Sequence, residues 1–310
     1  MLNDYNIHDY VKTFVLLKEV SVRYDKNNHP FLSLLLEDRS RIIDGKMWNV
    51  TEEQAQQFYQ GQVVYVEGEL TEFNKRPQLK ITKMREATED EPCDASLYME
   101  SAPMTRQAMQ EEMQPYIEAM SPVIREIVQT LLSENERAFF NAPAAKTNHH
   151  NFSGGLAYHT LSMLHLAKAM SQCYPEINAG LLYAGVVLHD FGKIWEMTGP
   201  VSTEYTLAGE LIGHIVMIDE AIDHICQMKH IPMTEEVLFL KHMVLSHHGR
   251  LEYGSPVAPK LLEAEVLHFI DNMDASMNMM ITALNHTEPG SFTERINAMD
   301  KKVIYKPKDQ

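Results

Sequence analysis

Residues 181–197 read LLYAGVVLHDFGKIWEM, an apolar segment that contains an adjacent histidine and aspartate, His189 and Asp190. Imidazole nitrogens combined with carboxylate oxygens are typical ligands of divalent transition metals. Further candidate ligands lie on other predicted helices of the same half of the chain: His159, His214, His247, His248 and Asp271. Because the helices of a bundle can project such side chains into one interior, this order predicts a metal centre assembled from several helices.

The residues around these candidates predict an all-α region, because apolar side chains recur at helical spacing from residue 148 to residue 300. The predicted helices cover residues 156–174, 178–197, 209–230, 236–249 and 259–280. If the second of these helices continues through Gly192, Lys193 lies one turn after His189. The last ten residues, 301–310, are basic and are expected to fray.

The N-terminal part of the chain predicts β-structure. Five stretches rich in Val, Ile, Leu, Phe and Tyr are separated by turn-forming residues. They cover residues 11–22, 30–40, 41–50, 62–73 and 76–87. A short helix is predicted at residues 51–61, with Thr51 as its N-cap and Gly61 at its end. Three strands, a helix and two strands is the order of an OB-fold barrel. A generic small β-barrel, used for packing or oligomerisation, is the alternative.

The chain length of 310 residues agrees with two domains. The acidic, proline-containing stretch ATEDEPCDAS, residues 87–96, reads as a linker, and Ser121 and Pro122 fit the start of a helix beyond it. The predicted parts are an OB-fold nucleic-acid-binding domain at 1–88, an acidic linker with connecting helices at 89–147, a helical domain at 148–300 and a basic tail at 301–310.

Composition excludes several classes of protein. Hydrophobic residues make up 45% of the chain and charged residues 23%, which is incompatible with disorder throughout. No apolar run reaches the roughly 18–20 residues that cross a bilayer, and the first residues do not resemble a secretory signal. The three cysteines, Cys93, Cys173 and Cys226, are far apart and form no CxxC pair. A disulfide framework is therefore not expected, and a reducing cytoplasm fits.

The net charge of −16 argues against a general affinity for nucleic acid, since phosphate repels an acidic chain. The charge is unevenly distributed, however. Residues 1–86 hold 12 basic and 13 acidic side chains, whereas residues 151–310 hold 11 and 19. The first segment is thus the most favourable place for a polyanion, and bound metal cations would offset the negative charge of the last.

The candidate ligands resemble those of the HD-domain superfamily of metal-dependent phosphohydrolases, whose pattern H…HD…H…H(H)…D they match in order. The stretch NHHNFSGGLAYHTLSM, residues 148–163, and the barrel before it resemble the YhaM-type 3′–5′ exoribonucleases of low-GC Gram-positive bacteria. The resemblance covers nearly the whole chain. It implies a multi-domain fold, with an N-terminal OB-fold β-barrel followed by an all-α HD-domain helical bundle.

The resemblance implies two divalent metal ions per chain. The mixed nitrogen and oxygen ligands suit Mn²⁺, the expected ion, and also Fe²⁺, Co²⁺ or Zn²⁺. The first ion is assigned to His159, His189, Asp190 and Asp271. The second is assigned to Asp190, His214 and His247, with His248 as a further ligand or a phosphate contact. Asp190 would bridge the two ions, and a water between them would become the nucleophile.

Several other side chains have two readings each. Lys193 is either a catalytic phosphate contact or a solvated surface lysine. Asp274 shares a helix face with Asp271, and Glu210 precedes His214 by four residues, so each either orients a ligand histidine or has only a local role. His149 and His150 either line the substrate entrance or are structural.

The predicted barrel offers aromatic and basic side chains that could hold a single strand by stacking and by contacts with phosphates. About half of the aromatic residues must face the barrel core, since side chains alternate along a strand. The candidates for nucleic-acid binding are Phe31, Arg41, Lys46, Trp48, Tyr65, Phe73, Lys75 and Arg76. Lys75 and Arg76 lie in a predicted loop, which rarely serves packing.

The expected function is metal-dependent 3′–5′ hydrolysis of single-stranded RNA to nucleoside monophosphates, with single-stranded DNA and homo-oligomerisation left open. The first alternative is an HD-type nucleotide or cyclic-dinucleotide phosphohydrolase whose barrel serves assembly. Cyclic-dinucleotide enzymes of the HD-GYP type carry Glu after the paired histidines and a Tyr-Pro ending, whereas Gly249 follows them here. The second alternative is a non-catalytic nucleic-acid-binding module.

Overall fold

The computed structural model describes residues 1–74, 76–99, 101–144, 152–201 and 203–308. The chain forms two compact units, residues 1–101 and residues 102–310. Among the predicted site residues, Lys75, His149 and His150 lie outside the described residues. No helix in the described part of the chain has the length and apolar character that crossing a membrane requires.

The first unit is a closed five-stranded barrel. Its strands are β1 (Tyr10–Tyr24), β2 (Pro30–Asp38), β3 (Arg41–Met47), β4 (Val63–Phe73) and β5 (Arg76–Glu86). Their order around the barrel is β1-β2-β3-β5-β4. The β3–β5 pair is parallel and the other pairs are antiparallel. A short helix, α1 (Glu52–Gln56), joins β3 to β4. The predicted OB-fold is therefore confirmed.

Strand alternation decides which side chains of β3 face the barrel interior. Ile43 and Gly45 are buried, whereas Asp44 is exposed and Lys46 is half-buried. Gly45 allows close packing there, because a Cβ atom at this position would lie 2.9 Å from Leu36 Cδ1. Asp44 and Lys46 are therefore presented on the outer surface of the β2–β3 part of the barrel.

The second unit is helical. Its helices are α2 (Arg106–Glu118), α3 (Pro122–Glu134), α4 (Glu136–Asn141), α5 (Gly155–Cys173), α6 (Ala179–Leu188), α7 (Lys193–Glu196), α8 (Leu207–Ile212), α9 (His214–Met228), α10 (Glu235–Ser246) and α11 (Leu262–Asn285). As predicted, Ser121 caps α3 and Pro122 is its first residue. One continuous core runs through the unit, and α6 lies at its centre, since eight of its ten residues are buried. The all-α prediction is confirmed.

Two predicted helices are each interrupted at a glycine. The segment 178–197 leaves the helix after Leu188, turns through residues 189–192 and resumes as α7, so the predicted continuation through Gly192 is wrong. A Cβ atom at Gly192 would lie only 2.2 Å from the carbonyl oxygen of His214. The segment 209–230 is interrupted at Gly213, whose φ of 81° lies in the left-handed region that favours glycine. The two breaks bring the start of α9 against the turn that carries Asp190.

Part of the basic tail forms a hairpin with the segment that precedes it. Phe292 pairs with Tyr305 and Ile296 with Lys302, which makes an irregular hairpin of residues 290–306. The backbone N–H of Thr293 donates to the carbonyl of Ile304 at 2.8 Å. The expectation that residues 301–310 fray is therefore wrong for residues 302–306, because the preceding segment supplies hydrogen-bond partners for this part of the backbone.

Candidate metal centre and nucleic-acid interface

The imidazole rings of His189 and His247 are fixed by the backbone of their own helices. The Nδ1 atom of His189 donates to the carbonyl of Val186 at 2.8 Å, and that of His247 donates to the carbonyl of Val244 at 2.7 Å. A carbonyl oxygen only accepts hydrogen bonds, so each Nδ1 carries the proton and each Nε2 carries a lone pair. Both Nε2 atoms are buried and have no hydrogen-bond partner among the described residues. They are therefore positioned to ligate a cation.

The ring of His214 is fixed by a carboxylate. Its Nδ1 donates to Glu196 Oε1 at 2.9 Å, and the backbone N–H of the same histidine donates to the same oxygen at 3.0 Å. Its buried Nε2 has no hydrogen-bond partner in the described part of the chain. Burial opposes a charge on Glu196, but the bonds from His214 keep the pKa of Glu196 below its ordinary value. His248 is oriented in the same manner, since its Nδ1 donates to the carbonyl of Tyr253 at 2.7 Å.

His159 lies between two carboxylates of α11. Its Nδ1 is 2.6 Å from Asp274 Oδ2, and its Nε2 is 3.3 Å from Asp271 Oδ1. The hydroxyl of Ser162 donates to the other oxygen of Asp274. Asp274 thus orients the ring of His159 toward Asp271. The two aspartates are three residues apart on α11, so they lie on the same face of the helix.

Asp190 lies between two groups of imidazoles. Its Oδ2 is 3.3 Å from His189 Nε2, whereas its Oδ1 is 3.4 Å from His214 Nε2 and 3.7 Å from His247 Nε2. Lys193 is not a solvated surface lysine, because its Nζ donates to Asp190 Oδ2 at 2.6 Å and to the carbonyl of Ala144 at 2.7 Å. The two oxygens of one carboxylate therefore face different histidines.

The candidate ligand atoms form two groups, and within each group they lie within 4.8 Å of one another. The first group comprises His159, His189 and Asp271, and the second comprises Asp190, His214, His247 and His248. Divalent transition metals bind well to sites in which imidazole nitrogens with a free lone pair lie close to carboxylate oxygens. The residues present thus fit a metal centre.

The charges of the site have identifiable causes. Burial disfavours the charged form of Asp190, but Lys193 and His189 hold the pKa of this carboxyl well below its usual range. Burial and the adjacent His248 lower the pKa of His247 well below its usual value, so this ring is neutral. Burial also opposes a charge on His159, but Asp271 and Asp274 overcome it and raise its pKa to about 9.

Metal affinity should depend on pH through His159. In the metal-free chain this imidazole is protonated below pH about 9, so a cation must displace its proton. We expect apparent Mn²⁺ affinity to rise roughly tenfold per pH unit up to about pH 9 and then to level off. In the metal-free chain, protonation of His159 also adds to the free energy of unfolding, because the pKa is higher in the folded chain than its ordinary value of 6.5. This contribution is fully present below pH 6.5 and is lost as the pH rises through about 9.

Calorimetric titration with Mn²⁺ in buffers of different ionisation enthalpy measures this proton directly. About one proton should be released per chain at pH 7.5, and none from this group well above pH 9. Affinity that does not change between pH 7 and pH 9 would contradict the displacement of a proton from His159 by the cation.

Glu196 is a residue that sequence analysis missed, and Glu210 was considered in its place. Glu210 is exposed and precedes the break at Gly213, so it does not share a helix face with His214. We expect Glu196→Ala to weaken metal binding or activity by about 10–100-fold, because the His214 ring loses its acceptor. Glu210→Ala is the matched control and should change neither.

The measurement is Mn²⁺ affinity by competition with a chelator, together with the melting temperature of the metal-free variants. Glu196→Gln keeps an oxygen acceptor and should recover part of the affinity. If Glu196→Ala and Glu210→Ala bind Mn²⁺ equally well, Glu196 does not position a ligand.

A cleft of about 890 Å³ lies beside the metal-binding groups. Asp190, Lys193, His248 and Asp271 form part of its lining. The cleft therefore gives access from solvent to residues of both ligand groups and to the ammonium group of Lys193.

The outer surface of the barrel carries a group of aromatic and basic side chains on β2, on and just after β3, at the end of β4 and at the start of β5. Arg76, which was predicted to lie in a loop, is the first residue of β5. Phe31 and Trp48 are stacked, with ring centroids 4.4 Å apart and an angle of 26° between the rings. The Nζ of Lys46 lies 5.3 Å from the Phe31 centroid. Lys46, Phe73 and Arg76 help to line a cavity of about 460 Å³. These residues are referred to below as the aromatic–basic surface.

Two of the candidate barrel residues do not belong to this set. Tyr65 packs edge-on against Phe14, with ring centroids 5.1 Å apart, and the Arg85 guanidinium lies 4.9 Å from its ring. Arg41 is engaged by the N-terminal segment, since its guanidinium donates to the carbonyls of Leu2 and Tyr5. Arg41 and Tyr65 therefore have structural partners of their own.

Two family models match the chain. The model of the HD domain matches residues 156–276, and the model of the OB-fold nucleic acid binding domain matches residues 15–87. The matches correspond to the helical unit that holds the ligand groups and to the barrel. The chain therefore contains an HD domain, the type of domain that defines a superfamily of metal-dependent phosphohydrolases and binds divalent metals, and an OB-fold nucleic-acid-binding domain.

Proposed function

We propose that this protein is a metal-dependent 3′–5′ exoribonuclease that hydrolyses single-stranded RNA to nucleoside monophosphates. One observation carries the proposal: two groups of candidate metal ligands lie beside the cleft that Asp190, His248 and Asp271 help to line, in a chain that also contains an OB-fold with an aromatic–basic surface. The HD domain supports phosphoester hydrolysis and the OB-fold supports a nucleic-acid substrate. The 3′ polarity, the products and the preference for RNA follow from the resemblance described in the sequence analysis.

The chain supplies the ligands in a prepared state. Hydrogen bonds at Nδ1 orient the rings of His189, His214 and His247, so little rearrangement is needed for their Nε2 atoms to bind a cation. Divalent cations bound at such sites lower the pKa of water and offset the negative charge of phosphate oxygens. The proposed first site comprises His159, His189, Asp190 and Asp271, and the second comprises Asp190, His214, His247 and His248.

Lys193 has two roles in this proposal. It keeps Asp190 ionised, since the 2.6 Å ion pair with Lys193 favours the carboxylate and lowers its pKa. It also lines the cleft, where its positive charge attracts a phosphate group. Burial opposes its charge, but Asp190 raises the pKa of Lys193 above its ordinary value, so the side chain stays cationic.

The proposed division of labour assigns substrate retention to residues 1–88 and hydrolysis to residues 148–300. The aromatic–basic surface would hold several nucleotides by stacking and phosphate contacts, which suits a substrate longer than the cleft itself. Residues 89–147 connect the two, and the structure includes the helices within this range in the second unit.

The test incubates the purified chain with 5′-labelled single-stranded RNA, the matching single-stranded DNA, cyclic dinucleotides and deoxynucleoside triphosphates. Each reaction is run with Mn²⁺, Mg²⁺, Fe²⁺, Co²⁺ and Zn²⁺ separately. The expected result is a ladder of RNA shortened one nucleotide at a time with Mn²⁺, and monophosphate products. Intact RNA together with cleavage of a small nucleotide would replace the proposal with a nucleotide phosphohydrolase. RNA binding with no hydrolysis under any metal would indicate a non-catalytic module.

A further inference from the structure

The C-terminal hairpin, residues 290–306, is attached to the helix that carries Asp271. The Nζ of Lys306 donates to the carbonyls of Leu284 and Thr287 at 3.0 Å and 2.8 Å. Leu284 lies in the last turn of α11, whose free carbonyl groups attract a cation. The hairpin thus has a fixed position relative to one of the metal ligands.

The tip of this hairpin is formed by residues 298–302, and all of these except Lys301 line the cleft beside the metal-binding groups. Met299, Asp300 and Lys302 line it from the hairpin, and Asn272 and Met279 line it from α11. The metal-binding groups and the hairpin tip therefore face one continuous space.

The backbone of the tip adopts an uncommon conformation. Asp300 has a φ of 49° and Lys301 a φ of 61°, so two consecutive residues other than glycine occupy the left-handed region. Such residues are uncommon, and strained backbone tends to occur where it positions functional side chains. Asp300 and Lys302 line the cleft, whereas Lys301 is not among the described residues that do so.

The lining offers a partner for each part of a nucleotide. Lys302 is exposed and forms no ion pair with any described residue, so its ammonium group is available for a phosphate. Met279, Met299 and Tyr253 provide apolar and aromatic surface for a base. The carboxylate of Asp300 accepts hydrogen bonds, which ribose hydroxyls donate. The cleft volume of about 890 Å³ is in the range of small-molecule sites.

We infer that the hairpin tip and α11 form the pocket that receives the 3′-terminal nucleotide of the substrate. Lys302 contacts a phosphate of that end, and Asp300 accepts a hydrogen bond from the terminal ribose. The inference rests on the proposed function for the polarity of the substrate. The pocket itself requires only a nucleotide with a phosphate and a ribose.

The test compares Lys302→Ala with Lys301→Ala. The two variants remove the same charge from neighbouring exposed positions, and only Lys302 lines the cleft. With a short single-stranded RNA, Lys302→Ala should raise KM about tenfold and change kcat less than about twofold, as expected for a lost charge-assisted contact. Lys301→Ala should match the unmodified chain in both constants.

A binding measurement separates this inference from the proposed function. Uridine 5′-monophosphate is titrated calorimetrically into each protein loaded with Mn²⁺, and Lys302→Ala should bind it about tenfold more weakly than Lys301→Ala. If no RNA is cleaved but this difference in binding is found, the pocket stands and the proposed function fails. If RNA is cleaved and the two variants agree in KM and in nucleotide affinity, the pocket is wrong and the proposed function stands.

Asp300→Asn examines the other end of the pocket. A carboxylate beside the terminal ribose repels a phosphate at the 3′ position, so the unmodified chain should prefer a 3′-hydroxyl over a 3′-phosphate end. The measured quantity is the kcat/KM for RNA with a 3′-hydroxyl divided by the kcat/KM for RNA with a 3′-phosphate. Asp300→Asn should lower this ratio about tenfold. An unchanged ratio would remove Asp300 from the pocket.

Discussion

The Asp190→Asn variant is expected to lose phosphodiester hydrolysis almost completely, by about 10³-fold or more in kcat/KM. Both oxygens of Asp190 face imidazole nitrogens, with Oδ2 near His189 and Oδ1 near His214 and His247. An amide has one oxygen and one NH₂ group, and the NH₂ group carries no lone pair for a cation. The substitution therefore removes at least one ligand position while conserving the size of the side chain.

The same variant also leaves the half-buried Lys193 without its carboxylate, which destabilises the fold independently of any metal. Asp223→Asn is a matched control, because Asp223 also pairs with a lysine, Lys241, at 2.6 Å. It should retain activity and metal content. Metal analysis of the purified variants and their melting temperatures then separate a lost ligand from a lost ion pair. Near-normal turnover by Asp190→Asn would contradict the role of Asp190 in both ligand groups.

The candidate ligand set could be predicted because its members are chemically distinctive and lie on or beside five different helices. An adjacent histidine and aspartate, followed by further histidines and a distant aspartate, needs no knowledge of loop geometry. The groups that the structure assembles around Asp190 contain all seven of the side chains chosen from the sequence. What the sequence pattern lacked was the direction of each ring, which depends on hydrogen bonds to Val186, Val244 and Glu196.

Glu196 shows why these partners are difficult to predict. It is separated from His214 by 18 residues and a break at Gly213, so no helical spacing relates them. Periodicity instead favoured Glu210, which would share a face with His214 only in an uninterrupted helix. The turn that ends at Gly192 lies at a contact between segments, since a side chain at Gly192 would collide with the backbone of His214, whereas the break at Gly213 has a positive φ. A pattern confined to one helix cannot contain that information.

The hairpin of residues 290–306 was missed for a related reason. The stretch KKVIYKPKDQ has few apolar residues and no regular period, which favours a frayed end. Its order comes from single bridges between Phe292 and Tyr305 and between Ile296 and Lys302, and from the bonds of Lys306 to the end of α11. These are partnerships across the chain, and local composition does not reveal them.

The barrel surface is the site of the second large effect that we expect. Replacing Trp48 and Phe73 together by alanine should weaken binding of a long single-stranded RNA on the order of 100-fold, because stacking contributes about 1–3 kcal/mol per base. Both side chains are exposed, 45% for Trp48 and 62% for Phe73. Neither is among the fully buried side chains of the barrel core, so the fold should tolerate their removal. The measurement is fluorescence anisotropy with labelled RNA at fixed salt, since affinity depends strongly on ionic strength.

Tyr65→Ala is the matched control for that experiment. It removes an aromatic side chain from the same barrel, but one that packs against Phe14 and Arg85. It should lower the melting temperature and leave RNA affinity nearly unchanged once the protein is folded. Cleavage of a dinucleotide should be the same in all of these variants, because such a substrate is too short to need the barrel while it occupies the cleft. If Tyr65→Ala weakens RNA binding as much as the Trp48 and Phe73 substitutions, the barrel holds RNA through a different surface from the one assigned here.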